Sequence, residues 1–126
     1  MKRLWIGIIV LSLLLASGGM VAFFMERCHT PIRHDLEQAA QAAAEGRSAE
    51  AAQLAQQAKS RWLRCRDFTA AFADHDVLEE IDAIFAEIDV YANIGDFAAF
   101  SAACAHLSEL ANAVAESHHP KWQNLL

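Results

Sequence analysis

Proline, glycine and strand-like patterns are scarce in this chain. It has two prolines and five glycines, and three of the glycines fall inside one apolar run, so only Gly46 and Gly95 lie beyond it. No stretch alternates Val, Ile or Thr with polar residues, as a half-buried strand does. Long segments instead carry apolar residues at three- and four-residue spacing, which is typical of amphipathic helices. The sequence therefore predicts an all-α protein.

Motifs that carry chemistry are also missing. The three cysteines form no C-x-x-C pair, which excludes a zinc ribbon and a thioredoxin-like site. The sequence contains no H-E-x-x-H pattern, no glycine-rich phosphate loop and no strand-turn-helix nucleophile elbow. We therefore expect a protein that is not an enzyme, with no cofactor and no small-molecule substrate.

The longest uncharged stretch runs from Leu4 to Met25 and is called the apolar segment. At about 1.5 Å per residue, a helix of this length crosses the roughly 30 Å hydrocarbon core of a bilayer. Trp5 lies near one end, where an indole side chain prefers the membrane interface. The sequence thus predicts a transmembrane signal-anchor helix over residues 4–25 that contacts membrane lipid, preceded by a cytoplasmic tail of residues 1–3.

A cleaved signal peptide is the competing interpretation. Lys2 and Arg3 would form its basic start, and Ala16-Ser17-Gly18 would form its cleavage region. The apolar run continues past that region to Met25, which favours an uncleaved anchor. Basic residues follow the segment as well as precede it, so charge alone orients it weakly. A signal anchor with a short tail favours a single-pass protein of the cell membrane whose C-terminal domain is extracytoplasmic.

Residues 26–126 are predicted to form one small helical domain. Eight of the ten Lys and Arg and all sixteen Asp and Glu lie here, a net charge of −8 with neutral histidine. Such an acidic domain argues against nucleic-acid binding. Apolar stripes and helix-end signals predict helices over about 31–45, 48–72, 76–94 and 96–117, paired as two helical hairpins in an antiparallel bundle. Pro31 is assigned to the first turn of the first of these helices.

The cysteines Cys28, Cys65 and Cys104 are odd in number, so one thiol is left over even if two of them pair. Cys65 and Cys104 each fall on an apolar helix face, where a small buried thiol is expected. If two of the three cysteines form a disulfide, Cys65 and Cys104 are the pair considered. Cys28 lies three residues past the apolar segment, where a thiol could cross-link two chains.

A basic cluster lies on the second predicted helix and consists of Lys59, Arg61, Arg64 and Arg66. Acidic residues are abundant in the rest of the domain. We expect a solvated helix face whose basic side chains pair with neighbouring acids.

Histidines near one end of the predicted bundle raise a metal-binding alternative. In an antiparallel arrangement, His75 at the start of the third helix lies near His118 and His119 at the end of the fourth. Imidazole and carboxylate groups are zinc ligands, but no spacing fixes two of them on one helix face. The simpler interpretation is that Asp74 or Asp76 caps the third helix and His118 and His119 interact with the end of the fourth. The alternative function is a metal-binding envelope protein that uses His75, His118 and His119.

The second half of the chain also resembles a known family. The similarity rests on the apolar segment, an isoleucine-rich helix followed by a leucine-rich helix, and the residues Trp62, Phe72, Asp74, His75, Asn124, Leu125 and Leu126. This pattern is similar to DUF4363, a domain-of-unknown-function family of small membrane-anchored bacterial proteins found mainly in clostridia-type Firmicutes. The resemblance implies a signal-anchored helical domain outside the membrane, and it implies no activity.

These observations favour a membrane-anchored, non-enzymatic helical protein that takes part in protein–protein interaction at the cell envelope, with an envelope partner or by self-association. Aromatic side chains dominate protein interfaces, although they also dominate cores. The residues predicted to form a contact surface are Trp62, Phe68, Phe72, Trp122, Leu125 and Leu126.

Overall fold

The computed structural model describes residues 1–117, and within this range the chain forms four helices and no strand. The helices are α1 (Lys2–Ala44), α2 (Ser48–Ala70), α3 (His75–Ile94) and α4 (Phe97–Ser117). The all-α prediction is confirmed. The last three helices begin within one residue of their predicted starts, although neither Arg47 nor Asp74, the N-caps of α2 and α3, makes a side-chain capping bond.

Gly46 and Gly95 end α1 and α3, as the sequence predicts. Both adopt positive φ angles, 81° and 77°, which residues with a Cβ rarely adopt. After Gly95, the backbone N–H of Asp96 donates to the carbonyl of Tyr91 at 3.0 Å, the six-to-one bond of a Schellman motif. The side chain of Asp96 then caps α4, since its Oδ1 accepts from the N–H of Ala99 at 3.2 Å.

The first helix is continuous from the apolar segment into the bundle, which corrects the prediction of a separate helix beginning at Pro31. Pro31 lies inside α1, where its missing N–H leaves the carbonyl of Arg27 without its usual intrahelical donor. The helix persists because the residues around Pro31 are packed by neighbouring helices: Met25, His29 and Ile32 are all buried. Tertiary packing here overrides the local preference of proline for a first turn.

The four helices form a closed antiparallel bundle, which confirms the predicted pairing of two hairpins. The first helix packs most extensively against α2 and α4, and α3 completes the ring by contacts with α4 and α2. The buried side chains of α1 and α2 include six alanines, namely Ala39, Ala42, Ala43, Ala51, Ala55 and Ala58. The other half of the core is filled by larger side chains, including Leu78, Ile81, Phe85, Phe100 and Leu107.

The apolar segment overlaps the bundle at its C-terminal end. Met25 is only 1 % exposed and belongs to the core, and Val21 packs against that core. The predicted boundary between anchor and domain after Met25 is therefore not a structural boundary. Only 6 % of the most apolar 18-residue stretch of α1 is buried, so the bundle leaves most of the segment uncovered. By its length and composition, this helix is able to cross a membrane.

Candidate interaction site

Three phenylalanine rings cross the junction between the apolar segment and the bundle, and they are called the aromatic strip: Phe24, Phe68 and Phe72. The ring centroids of Phe24 and Phe68 lie 6.1 Å apart, and those of Phe68 and Phe72 lie 5.3 Å apart. The rings are 49 %, 36 % and 45 % exposed, respectively. Contacts of this kind between rings are favourable, yet a large part of each ring remains open to a partner.

An apolar depression borders the aromatic strip at Phe72. It lies between the α2–α3 turn and α4 and has a volume of about 270 Å³. Its lining includes the side chains of Val77, Leu110 and Val114. An aliphatic or aromatic side chain from a partner that contacts Phe72 can therefore insert beside it.

A disulfide joins α1 to α2 at the same end of the bundle. It links Cys28 to Cys65, whose Cα atoms are 6.1 Å apart, an ordinary separation for a disulfide. Cys65 is therefore not a free buried thiol, its partner is not Cys104, and Cys28 is not available to cross-link two chains. The sequence interpretation placed Cys28 outside any bundle helix, whereas in the continuous α1 it faces α2. Cys104 remains a free thiol, and its burial raises its pKa from 9.0 to about 12.

A groove between α1 and α2 opens beside the disulfide and is called the arginine groove. Its volume is about 270 Å³, and its apolar lining includes Phe24, Pro31 and the disulfide-bonded Cys28 and Cys65. Three basic side chains surround it, those of Arg27, Arg61 and Arg64. A concave apolar surface with a positively charged rim is suited to an amphiphilic anion.

Most basic side chains around this end of the bundle are paired with carboxylates, which confirms the expected pairing for three of the four residues in the basic cluster. The N···O distances are 3.0 Å for Arg61–Asp35, 2.9 Å for Arg66–Asp82 and 2.6 Å for Lys59–Asp89. Arg64 is the exception, since it has no ion pair within residues 1–117. Arg27 likewise has no carboxylate partner in that range, and its guanidinium carbon lies 5.3 Å from the ring centroid of Phe23.

Trp62 belongs to the core, which corrects its assignment to a contact surface. Its side chain is 2 % exposed, because the alanine stripe of α2 turns this face of the helix inward. The indole N–H donates to Oδ1 of Asp82 at 2.7 Å, and Oδ2 of Asp82 accepts from Nε of Arg66 at 2.9 Å. One carboxylate of α3 thereby binds two side chains of α2.

A hydroxyl lies next to an imidazole in the core, and this pair is structural. Oγ1 of Thr69 is 3.3 Å from Nε2 of His29. The Thr69 hydroxyl donates its proton to the carbonyl of Cys65 at 2.9 Å, so it is placed to accept from the imidazole. Both side chains are buried, and a substrate therefore cannot reach the hydroxyl.

The residues of the metal-binding alternative are only partly described. His75 is exposed at the start of α3, with its Nε2 3.9 Å from Oε1 of Glu79. Among residues 1–117, no group of three or more His, Cys, Asp and Glu side chains is arranged to hold a metal ion. Five predicted residues lie outside the described part of the chain, namely His118, His119, Trp122, Leu125 and Leu126.

Comparison with known proteins identifies a family. No curated protein and no solved structure matches the chain. The family model with the description "Domain of unknown function (DUF4363)" matches residues 21–125. This match begins at Val21, the residue at which the bundle starts to cover α1. It includes all of α2, α3 and α4 and more than half of α1, and the chain therefore belongs to the DUF4363 family.

Proposed function

We propose that this protein is anchored in the cell membrane by the apolar segment, that its bundle lies outside the cytoplasm, and that it binds another membrane protein without catalysing a reaction. The aromatic strip carries this proposal. It extends from the apolar segment onto the bundle, so a partner in the same membrane is able to contact both parts at once.

The chemistry of the strip suits protein binding. Exposed aromatic side chains are enriched among the residues that dominate binding energy at interfaces. Phe72 also borders an apolar depression, which gives a partner both a ring to pack against and a cavity to fill. The hydroxyl of Thr69, which lies next to an imidazole, is buried and closed to a substrate. These features support binding as the mode of action.

The disulfide supports the location of the bundle. Disulfides persist in oxidising compartments and are rare in the reducing cytoplasm. Cys28 lies three residues beyond the apolar segment, and its bridge to Cys65 closes the end of the bundle that adjoins the segment. A stable bridge at this position supports an extracytoplasmic bundle.

Thiol counting in intact cells tests the location. Cells are quenched with acid, the protein is denatured, and thiols are labelled with a maleimide of known mass before or after reduction. We expect one labelled thiol, that of Cys104, before reduction and three after it. The matched Cys65→Ser variant should show two labels under both conditions. Three labels on the wild-type protein before reduction would place the bundle in the cytoplasm and refute this part of the proposal.

Photo-crosslinking tests the partner. A photoreactive phenylalanine analogue is introduced at Phe72 and, as a matched control, at the exposed Glu80 on α3. We expect a protein adduct of defined mass from position 72 and none from position 80. An adduct with a second copy of the chain would show that the protein self-associates through the aromatic strip. Adducts with lipid alone, or equal protein adducts at both positions, would refute protein binding through the aromatic strip.

A further inference from the structure

We propose that the arginine groove binds the phosphate of an anionic phospholipid headgroup, held by Arg27 and Arg64. This inference rests on the membrane anchoring in the proposed function and is independent of the protein partner. The arginine groove and the aromatic strip share Phe24. The groove is lined by α1 and α2, whereas the apolar depression beside the strip is lined by the α2–α3 turn and α4, so the two cavities are separate.

The position of the groove along α1 places it close to the lipid phosphates. Arg27 lies six residues beyond Val21, where the bundle starts to cover α1, which is about 9 Å along the helix axis. Arg64 adjoins Cys65, and the disulfide holds Cys65 beside Cys28, so Arg64 lies at a similar height. The headgroup layer extends roughly 5–7 Å beyond the hydrocarbon core on each side. When the apolar segment spans the membrane up to the bundle, both arginines therefore lie just beyond this layer, within the length of an arginine side chain of it.

The charge pattern singles out the same two residues. Seven basic residues lie between residues 26 and 117, and five of them form ion pairs with carboxylates, namely Arg33, Arg47, Lys59, Arg61 and Arg66. The remaining two, Arg27 and Arg64, line one groove. The exposed acids nearest in sequence, Glu26 and Asp67, form no ion pair with either of them in the described range. Two arginines without an ion pair in the described range thus line one groove in a domain whose net charge is strongly negative.

The chemistry of the groove fits a lipid better than a free anion. A planar guanidinium binds phosphate oxygens through two parallel N–H donors, and two such groups suit a phosphodiester. The apolar lining provided by Phe24 and Pro31 offers nothing to inorganic phosphate, but it can contact the glycerol and first methylenes of a lipid. Arg61 remains neutralised by Asp35 and narrows the groove without adding free charge.

Lipid retention by the full-length protein tests the inference. Protein is purified in detergent from the membrane fraction, so a chain that is not membrane-anchored is recognised before any lipid is added. Dioleoylphosphatidylglycerol or dioleoylphosphatidylcholine is titrated in, and bound lipid is counted by native mass spectrometry. The test variant is Arg27→Gln/Arg64→Gln, and the matched control, Arg33→Gln/Arg47→Gln, removes the same charge from paired positions.

We expect the test variant to bind phosphatidylglycerol about tenfold more weakly, the loss typical of one or two charge-assisted hydrogen bonds at an exposed site. The control variant should retain wild-type affinity, and phosphatidylcholine should bind the test variant and wild type equally. The single Arg64→Gln variant should show a smaller loss in the same direction, and since Arg64 has no ion pair in the described chain, its fold should be unaffected.

Two outcomes would overturn the inference. Equal phosphatidylglycerol binding by the test and control variants would show that the groove does not select the headgroup. Displacement of phosphatidylglycerol by excess inorganic phosphate, with matching losses in the variants, would assign the groove to a soluble anion instead of a lipid. Neither outcome bears on the crosslink from Phe72, so the two proposals fail separately.

Discussion

Removal of the Cys28–Cys65 disulfide should destabilise the bundle strongly. The bridge closes a loop with a sequence separation of 37 residues. In the chain-entropy treatment, a loop of this length contributes about 4 kcal/mol to the free energy of unfolding at 25 °C. For a domain of about 100 residues, each kcal/mol shifts the melting temperature by roughly 4–8 °C, so we expect a decrease of roughly 15–30 °C in the Cys28→Ser/Cys65→Ser variant.

Circular dichroism of the full-length protein in detergent measures this change, because melting of the bundle removes most of the helical signal outside the apolar segment. Wild-type protein with a reductant should melt at the same temperature as the double variant, and the variant should not respond to the reductant. A variant that melts within a few degrees of oxidised wild type would refute the reasoning. It would mean that packing between α1 and α2 holds the two helices together equally well without the bridge.

Three further predictions follow from other features. Pro31→Ala should raise the free energy of unfolding by about 1–3 kcal/mol in urea titrations, because it restores a hydrogen bond inside α1; a decrease would indicate that a helix begins at Pro31. Gly95→Ala should lower the free energy of unfolding by about 1–2 kcal/mol, because alanine is strained at a φ of 77°. An unchanged free energy of unfolding would contradict the Schellman motif. Cys104 should resist iodoacetamide in the native protein up to about pH 10, since its pKa of about 12 keeps the thiol protonated; rapid native alkylation at pH 8 would show that it is accessible.

Periodicity and helix-end signals were sufficient to predict most of the fold. The stripe from Ile81 to Ile88 on α3 and the stripe from Phe100 to Val114 on α4 are buried as their spacing indicates. Gly95 requires a left-handed conformation wherever it ends a helix, and Asp96 caps any helix that follows it. Such signals act within one turn of the chain, so the sequence alone reveals them.

The predictions from sequence were wrong where contacts between residues far apart in the chain determine the structure. Proline has a local preference for the first turn of a helix, and only the packing of α2 and α4 around Pro31 keeps α1 continuous through it. Once α1 was divided in the sequence interpretation, Cys28 lost its place opposite Cys65, and the disulfide was missed. The sequence does not distinguish Arg64 from the neighbouring basic residues that form ion pairs. Whether a carboxylate lies near Arg64 is a property of the folded surface and not of the local sequence.

Because α1 is continuous, the apolar segment and the bundle are joined by a single helix. The helix is about 65 Å long at 1.5 Å per residue for its 43 residues, and it runs without a break from its exposed N-terminal half into the bundle. A rotation of the apolar segment about its own axis therefore also turns the bundle. One residue added within the segment would turn every face of the bundle by about 100° and displace it by about 1.5 Å. In the proposed membrane-anchored protein, the length of the segment thus sets both the height of the bundle and the direction that it faces.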